Sequence, residues 1–237
     1  MSTSSGAASS AATNNITATS SDTTAALAPS TTSTTAQDAS GGHPAAASAR
    51  AAELARIKMT LMNNLGHFAD FPIPGIKFID ILPLFRDPAV HLDLLRALEL
   101  QILEEFGDDL AHKPDVIVGL DARGFLFGPS IALRLNAGFV PVRKKGKMPG
   151  PCVTAAYEKE YGTDYFQMQE GAIKPGQKVL VVDDIIATGG SAAAAASLVK
   201  QLGGELIGYL FILEIPFLNG RSKLGGVKTV TLLETDE

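Results

Sequence analysis

The sequence has few cysteines and histidines and no long apolar run. Its 237 residues include one cysteine, Cys152, and four histidines that lack the spacing of metal ligands. A single cysteine excludes an intrachain disulfide and a cysteine-based zinc site, and it fits a reducing compartment, so we expect a cytoplasmic protein. No stretch approaches the roughly 20 apolar residues of a membrane span. The net charge of −5 does not suggest a general affinity for nucleic acid or anionic membranes.

Residues 1–49 carry few charges and few large apolar side chains. Asp22 and Asp38 are the only ionised residues before Arg50, and the segment consists mainly of Ser, Thr and Ala. Such a segment cannot bury enough apolar surface to offset the entropy lost on ordering. It also lacks the arginines and the amphipathic face of a transit peptide. We therefore predict a disordered low-complexity tail over residues 1–49 and one folded domain over residues 50–237.

The folded part alternates apolar runs with helical patterns, which is typical of an α/β domain. The patterns predict helices over residues 51–66, 87–107 and 191–202, and strands over residues 116–120, 139–142, 179–182, 205–213 and 227–233. Two prolines exclude regular helix from residues 71–80. The polar segment 148–169 is predicted to be a lid over a site, with a solvated hairpin as the alternative.

The most informative stretch is 179–191, which reads V-L-V-V-D-D-I-I-A-T-G-G-S. A buried strand is followed by Asp183 and Asp184, then by a turn of small residues and the start of a helix. The turn consists of Ala187, Thr188, Gly189, Gly190 and Ser191. Backbone N–H groups converge on such a turn and glycine allows a phosphate to approach closely, so we predict an anion site. The spacing excludes a Walker loop and a dinucleotide fingerprint. An ordinary strand-to-helix turn is the alternative, but adjacent carboxylates are costly without cations or donors nearby.

Two other predicted strands also end in polar residues. The strand 116–120 runs into D-A-R-G at 121–124, and the strand 139–142 runs into R-K-K-G-K at 143–147. The carboxyl ends of parallel strands share one edge of the sheet, where open α/β sheets bind ligands. A leaving group with several negative charges needs Arg or Lys partners there. A solvated basic face is the alternative reading of 143–147.

These motifs resemble those of the type I phosphoribosyltransferases, and most of all their adenine-specific branch in its fungal form. Residues 181–191 resemble the loop that binds 5-phosphoribosyl pyrophosphate (PRPP). Residues 71–80 match F-P-x-P-G-x-x-F-x-D, residues 124–129 match G-F-L-F-G-P, and residues 143–150 match R-K-x-G-K-[LM]-P-G. The resemblance covers residues 51–235. It implies a mostly parallel, twisted sheet flanked by helices, with a hood over the purine and a mobile lid loop.

The resemblance also implies a reaction, in which adenine and PRPP give AMP and pyrophosphate. It implies a homodimer, and Mg²⁺ held mainly by PRPP oxygens and water, with no direct protein ligand. Asp183, Asp184 and Glu160 would be catalytic. Asp183 and Asp184 would also bind the ribose, and residues 187–191 the 5′-phosphate. The pyrophosphate site would comprise Asp121, Ala122, Arg123, Arg143, Lys144 and Lys147.

The remaining implied residues belong to the purine site. The main chain at Lys77 would read the edge of adenine, Phe78 would stack on its face, and Ile185 would also contact it. Glu160 would face the base from the lid and could accept the proton that the purine ring loses. Tyr157 and Tyr161 would belong to the same lid, and Tyr161 would help to exclude water.

Two other functions fit the same motifs. The first is transfer to another purine base, such as hypoxanthine, guanine or xanthine, although residues 71–80 and 124–129 favour adenine. The second is a PRPP-sensing regulator built on the same fold. Such a regulator would need a basic DNA-binding module, and the chain has no Lys or Arg before Arg50.

Overall fold

A seven-stranded sheet forms the centre of the computed structural model, which describes residues 44–107, 113–159 and 162–235. The α-helices are α1 Pro44–Asn63, α2 Pro88–Phe106, α3 Gly128–Arg134 and α4 Gly190–Gln201. The strands are β1 Gly66–Ala69, β2 Lys77–Asp80, β3 Val116–Leu120, β4 Gly138–Lys144, β5 Cys152–Lys159, β6 Gly162–Gln169, β7 Lys178–Ile186, β8 Glu205–Glu214 and β9 Thr229–Glu234. Within the described ranges, no helix is long and apolar enough to cross a membrane.

The order of strands in the sheet is β5-β6-β4-β3-β7-β8-β9. Strands β4, β3, β7, β8 and β9 are parallel, whereas β5 and β6 form an antiparallel hairpin that pairs with β4 at one edge. The parallel arrangement brings the carboxyl ends of β3, β4 and β7 to one edge of the sheet. The predicted α/β class and mostly parallel sheet are confirmed.

Helices cover both faces of the sheet. Helices α1, α2 and α3 pack on the face that carries Leu180 and Val182, and α4 packs on the face that carries Val179 and Val181. Successive side chains of a strand point to opposite faces, so a strand buried on both faces is apolar throughout. For this reason the apolar runs in the sequence predicted β3 and the first part of β7 correctly.

Helix α2 begins and ends as its sequence predicts. Asp87 is the N-cap, and its Oδ1 accepts a hydrogen bond from the N–H of Ala89 at 2.7 Å. Pro88 occupies the first turn, where a missing N–H costs nothing. Gly107 follows the last turn with a φ of 85°, a conformation that only glycine adopts readily.

Helix α1 differs from the prediction at both ends. It begins at Pro44 instead of residue 51, and it ends at Asn63 instead of Gly66. Residues 46–52 are exposed, so burial of side chains does not stabilise the first part of α1. Most of these residues are alanine, the strongest helix former, and the lack of large apolar side chains predicted the lack of burial but not the helix. Residues 44–49 are therefore helical, and the predicted disorder of residues 1–43 falls outside the described residues.

Two segments that were predicted as a hood and a lid contain strands, and a hairpin was the alternative prediction for the second of them. In the hood segment, β2 pairs antiparallel with β1 as a separate two-stranded sheet. The polar segment 148–169 contains the β5–β6 hairpin. Alternate residues on one face of this hairpin, including Ala155 and Phe166, are buried in the core. The observed hairpin is thus half-buried, which neither the lid prediction nor the solvated alternative anticipated.

Candidate functional site

A cleft of about 320 Å³ lies at the carboxyl end of β7 and the beginning of α4. It is lined by Arg123, by residues 183–192, and by Phe211 and Ile215. The cleft therefore brings together the turn after β3 and the turn after β7, as the parallel sheet requires. It contains both predicted aspartates and the whole predicted phosphate turn.

The turn of residues 187–191, which we call the phosphate loop, leads directly into α4. Gly189 is the residue before the helix and has a φ of 77°, in the left-handed region. None of the described side chains caps this helix, so its first N–H groups face the cleft without a side-chain partner. Thr188 is exposed and Ser191 is half-buried, and both can offer a hydroxyl group. The helix terminus and its dipole suit an anion.

Asp183 and Asp184 lie within β7 instead of after it, because the strand continues to Ile186. Strand alternation places Asp183 on the α4 face and Asp184 on the opposite face, where Arg123 is. The Nε of Arg123 is 2.6 Å from Oδ2 of Asp184, whose residue is only 3% exposed. No aligned hydrogen bond reaches this Oδ2 from the described residues, so the contact is ionic.

The two carboxyl groups do not have ordinary acidities. Burial raises the pKa of Asp183 well above its usual value, and the neighbouring charge of Asp184 raises it further. Burial also raises the pKa of Asp184, but the charge of Arg123 opposes that rise. Burial therefore disfavours the charged forms of both carboxyl groups, and donors or cations from a ligand would stabilise those forms.

The predicted pyrophosphate residues lie close to one another but mostly outside the cleft lining. The Nε of Arg143 is 3.3 Å from Oδ2 of Asp121, and its Nη1 donates to the carbonyl oxygen of Lys147 at 3.0 Å. Lys144 and Lys147 are exposed. The peptide bond between Asp121 and Ala122 is cis. The turn after β3 and the basic turn after β4 are thus in contact, as predicted.

Gly124 lets the turn after β3 approach β7, a role that the sequence did not reveal. A Cβ at Gly124 would lie 2.9 Å from the carbonyl oxygen of Val182 and 3.5 Å from Oδ1 of Asp183. Backbone atoms cannot move aside as a flexible side chain can. The glycine therefore permits the approach that places Arg123 beside Asp184. The D-A-R-G motif contains this signal, but spacing alone does not show which strand the glycine meets.

The predicted adenine residues are divided between two cavities. Ile185 lines the 320 Å³ cleft, whereas Lys77 and Phe78 line a second cavity of about 770 Å³ in the hood region. The ring of Phe78 packs edge-on against Phe71, with 5.0 Å between the ring centres. The segment after β8 links the cavities, because Ile215 lines the first and Phe217 lines the second.

Comparison with known proteins agrees with this geometry. Residues 90–218 match the phosphoribosyl transferase domain family. The adenine phosphoribosyltransferase of Yarrowia lipolytica is 57% identical over 171 residues, which cover 72% of this chain and 92% of that relative. The chain belongs to the adenine phosphoribosyltransferase family.

Other members of the adenine phosphoribosyltransferase family are similar to this chain in sequence and in structure. Adenine phosphoribosyltransferase 1 of Saccharomyces cerevisiae is 55% identical over 171 residues, covering 72% of this chain and 90% of that relative. A crystal structure of the S. cerevisiae enzyme, complexed with D-2,5-dideoxy-2,5-imino-altritol 1,6-bisphosphate and adenine, has a TM-score of 0.72 at 52% identity. The match covers 76% of this chain and 99% of that one. The predicted type I phosphoribosyltransferase fold is thereby confirmed.

The segment that was predicted to form a lid falls partly outside the described residues. Tyr157 is buried in β5, where its ring stacks on Phe166 with 4.5 Å between the ring centres. Its hydroxyl group donates to Oδ2 of Asp164 at 3.1 Å. Tyr157 therefore packs within the hairpin. Glu160 and Tyr161, the other predicted lid residues, lie outside the described residues.

The connection between β8 and β9 was not predicted to take part in the site of this phosphoribosyltransferase. Ile215 lines the cleft, and its N–H donates to the carbonyl oxygen of Ile186 at 3.1 Å. Gly220, further along the connection, packs against the phosphate loop. The dipeptide Asn219-Gly220 signals a turn, but a turn signal is local and does not identify a partner more than thirty residues away in the chain.

Proposed function

We propose that this chain transfers the 5-phosphoribosyl group from PRPP to adenine, giving AMP and pyrophosphate in purine salvage. One observation carries the proposal. In a chain of the adenine phosphoribosyltransferase family, a single cleft joins an uncapped helix terminus, a buried and a half-buried carboxyl group, and an arginine. These groups suit, in order, a phosphate, a ribose diol and a charged leaving group.

The phosphate loop binds the 5′-phosphate in this proposal. The N–H groups at the start of α4 and the hydroxyls of Thr188 and Ser191 supply donors, and Gly190 and Ala187 leave the backbone accessible. The helix dipole adds attraction for the negative charge. No cationic side chain is needed at this position.

Asp183 and Asp184 accept hydrogen bonds from the ribose hydroxyls. Arg123 forms an ion pair with Asp184, and in this proposal PRPP binding exchanges that pair for hydroxyl donors. As the bond from C1′ to pyrophosphate breaks, positive charge develops on the sugar. Two nearby carboxylates stabilise that charge, and the same interaction lowers their raised pKa values.

Arg123, once released from Asp184, can pair with the departing pyrophosphate. Asp121 and Ala122 supply the adjoining turn, and basic residues at the end of β4 and in the turn that follows supply further cations: Arg143, Lys144 and Lys147. Arg143 already spans from Asp121 to the carbonyl of Lys147, so it links the two turns. Multiple Arg and Lys partners match the multiple charges of pyrophosphate.

Mg²⁺ also belongs to the proposal. In the part of the chain that the structure describes, no three His, Cys, Asp or Glu side chains come together as a metal site. Mg²⁺ keeps several waters and commonly binds substrate phosphates, so PRPP oxygens and water would hold most of its coordination positions without a direct protein ligand. Mg²⁺ carried by PRPP would neutralise part of the leaving group's charge.

Adenine occupies the space between Ile185 and the hood, where the main chain at Lys77 and the ring of Phe78 contact it. Glu160 accepts the ring proton as the new bond from nitrogen to C1′ forms, and Tyr161 belongs to the lid over the base, whereas Tyr157 packs within the hairpin that carries this lid. We also propose a cytoplasmic homodimer. Leu133 is 82% exposed and Leu126 is 42% exposed, which leaves apolar surface for a partner subunit.

The test is a direct assay of the reaction. The chain is incubated with PRPP, Mg²⁺ and either adenine, hypoxanthine or guanine, and both pyrophosphate and nucleotide are measured. We expect AMP from adenine and little nucleotide from the other bases. The Asp184→Asn variant keeps the side-chain shape but removes the charge, and it should be at least about tenfold slower. Faster conversion of another base, or no conversion of any base, would overturn the proposal.

A further inference from the structure

Gly220 lies directly against the phosphate loop. A Cβ on Gly189 would overlap the carbonyl oxygen of Gly220, and a Cβ on Gly220 would overlap the carbonyl oxygen of Ala187. Gly220 is buried, and its own φ is outside the left-handed region. Close approach between two backbone segments, and not backbone conformation, is therefore what requires glycine at this position.

The next residue, Arg221, is hydrogen-bonded to the end of β8 and to the first half of β9. Its Nε donates to both carboxylate oxygens of Glu214, at 2.8 and 3.0 Å, where Glu214 is the last residue of β8. Its Nη1 donates to the carbonyl oxygen of Thr229 at 2.6 Å, and its Nη2 donates to Oγ1 of Thr231 at 3.1 Å. Both threonines are in β9. A planar guanidinium fork can make all these bonds at once, whereas an ammonium group cannot.

Glu214 is suited to be a fixed anchor for this arginine. It is 8% exposed, and its Oε2 also accepts a hydrogen bond from Oγ1 of Thr231 at 3.3 Å. The hydrogen bonds from Arg221 hold the pKa of Glu214 below its usual value, so the carboxylate stays charged at neutral pH. The charge of Arg221 is thus balanced by Glu214. Because Arg221 is not among the residues that line the cleft, it is placed to position the site and not to bind an anion itself.

We propose that Glu214, Gly220 and Arg221 form a brace that positions the phosphate loop for the 5′-phosphate. The inference rests on the proposed function, and it adds three positioning residues to that function. The loop has a left-handed glycine and no side-chain cap, so contacts from outside must restrain it. The ends of β8 and β9 provide a rigid support, and Gly220 transmits that support to Ala187 and Gly189.

The test compares binding of two reaction products, because only AMP carries the 5′-phosphate. Arg221→Lys keeps the charge but loses the fork, and Gly220→Ala adds a methyl group against Ala187. We expect each change to weaken AMP binding at least about tenfold while pyrophosphate with Mg²⁺ binds within about twofold of the wild type. Isothermal titration gives both affinities, and KM for PRPP should rise more than KM for adenine.

Two matched controls separate positioning from general stability. Arg96→Lys breaks a similar fork, since Arg96 bonds both oxygens of Glu53 at 3.0 Å with a side chain 39% exposed, against 43% for Arg221. Gly138→Ala adds a methyl group whose nearest neighbour is 3.8 Å away. Both control variants should bind AMP and pyrophosphate as the wild type does.

Three results would overturn the inference. The first is wild-type AMP binding by Arg221→Lys and Gly220→Ala. The second is an equal loss of AMP and pyrophosphate binding, which would indicate general destabilisation. If Gly220→Ala does not fold, Arg221→Lys alone decides between these outcomes and the expected one. The third is a wild-type chain that binds no AMP, which would overturn the proposed function as well.

Discussion

Replacing Gly189 with alanine tests the phosphate loop at its most constrained point. Gly189 has a φ of +77°, where a side chain costs roughly 1–2 kcal/mol relative to glycine. The new Cβ would also overlap the carbonyl oxygen of Gly220, a backbone atom that no rotamer change can move. The loop or its neighbour must shift, and the N–H groups at the start of α4 shift with it.

Gly176 provides a control with the same backbone penalty and no contact. Its φ is +79°, and no atom lies within 4 Å of a Cβ placed there. Gly176→Ala should therefore lose only about 1–2 kcal/mol, which corresponds to a fall in Tm of roughly 2–8 °C for a domain of this size. Gly189→Ala should lose more stability than this control. It should also bind PRPP at least about tenfold more weakly, a loss of about 1.4 kcal/mol.

The two variants are compared by differential scanning calorimetry and by direct PRPP binding. The comparison isolates the effect of the contact with Gly220, because the cost of the left-handed conformation is common to both. Equal falls in Tm together with wild-type PRPP binding by Gly189→Ala would refute the reasoning. The loop would then tolerate a side chain, and another part of the cleft would have to bind the 5′-phosphate.

Two more predictions concern the acidic residues. Burial raises the pKa of Asp183 in the folded chain, so the contribution of Asp183 to stability should fall as pH rises from about 4 through that raised pKa. Asp183→Asn should unfold at a higher temperature than the wild type at pH 7, and the difference should vanish below about pH 4; an unchanged difference across that range would contradict the raised pKa. Glu160→Leu should lower turnover by about 10²–10⁴-fold at saturating PRPP with near-normal PRPP affinity. The nearby Glu158→Leu should have a mild effect, and equal effects of the two would remove Glu160 from proton transfer.

The sequence predicted the elements whose signals are local. Apolar runs predicted the buried strands β3 and β7, and Asp87 with Pro88 predicted the start of α2. Asp184 and Arg123 were predicted to share one edge because parallel strands end together there, and the structure places them in one cleft. In each case the deciding residues are neighbours in the chain or occupy equivalent ends of parallel strands.

Contacts between distant segments were not predicted. The motifs placed Arg123 near Asp184, but they did not show that the two form an ion pair in the absence of ligand. Nor did they show that Ile185 and Phe78 line different cavities, since that depends on where the β1–β2 sheet packs. Gly220 is the clearest case. A side chain at this position would collide with the backbone of Ala187, which lies in the turn between β7 and α4, more than thirty residues earlier in the chain.

Helix α1 illustrates another limit of prediction from composition. The scarcity of large apolar residues before residue 50 correctly indicated exposure, and residues 46–50 are exposed. Exposure does not exclude helix when the residues are mostly alanine and the helix continues into a buried stripe that begins at Leu54. The number of large apolar residues in a segment therefore predicts whether it is buried, but not whether it is helical.

The position of Arg221 has a consequence for how the chain matures during synthesis. Its hydrogen bonds reach Thr229 and Thr231 in β9, whereas the loop that it supports lies between β7 and α4. A ribosome delivers β7 and α4 first, and N-terminal parts of a chain generally begin folding first. A nascent chain without β9 therefore carries the acidic pair, the helix terminus and Glu214, but it lacks the two threonines that complete the hydrogen bonding of Arg221. The support of the phosphate loop is then complete only after the final strand has docked.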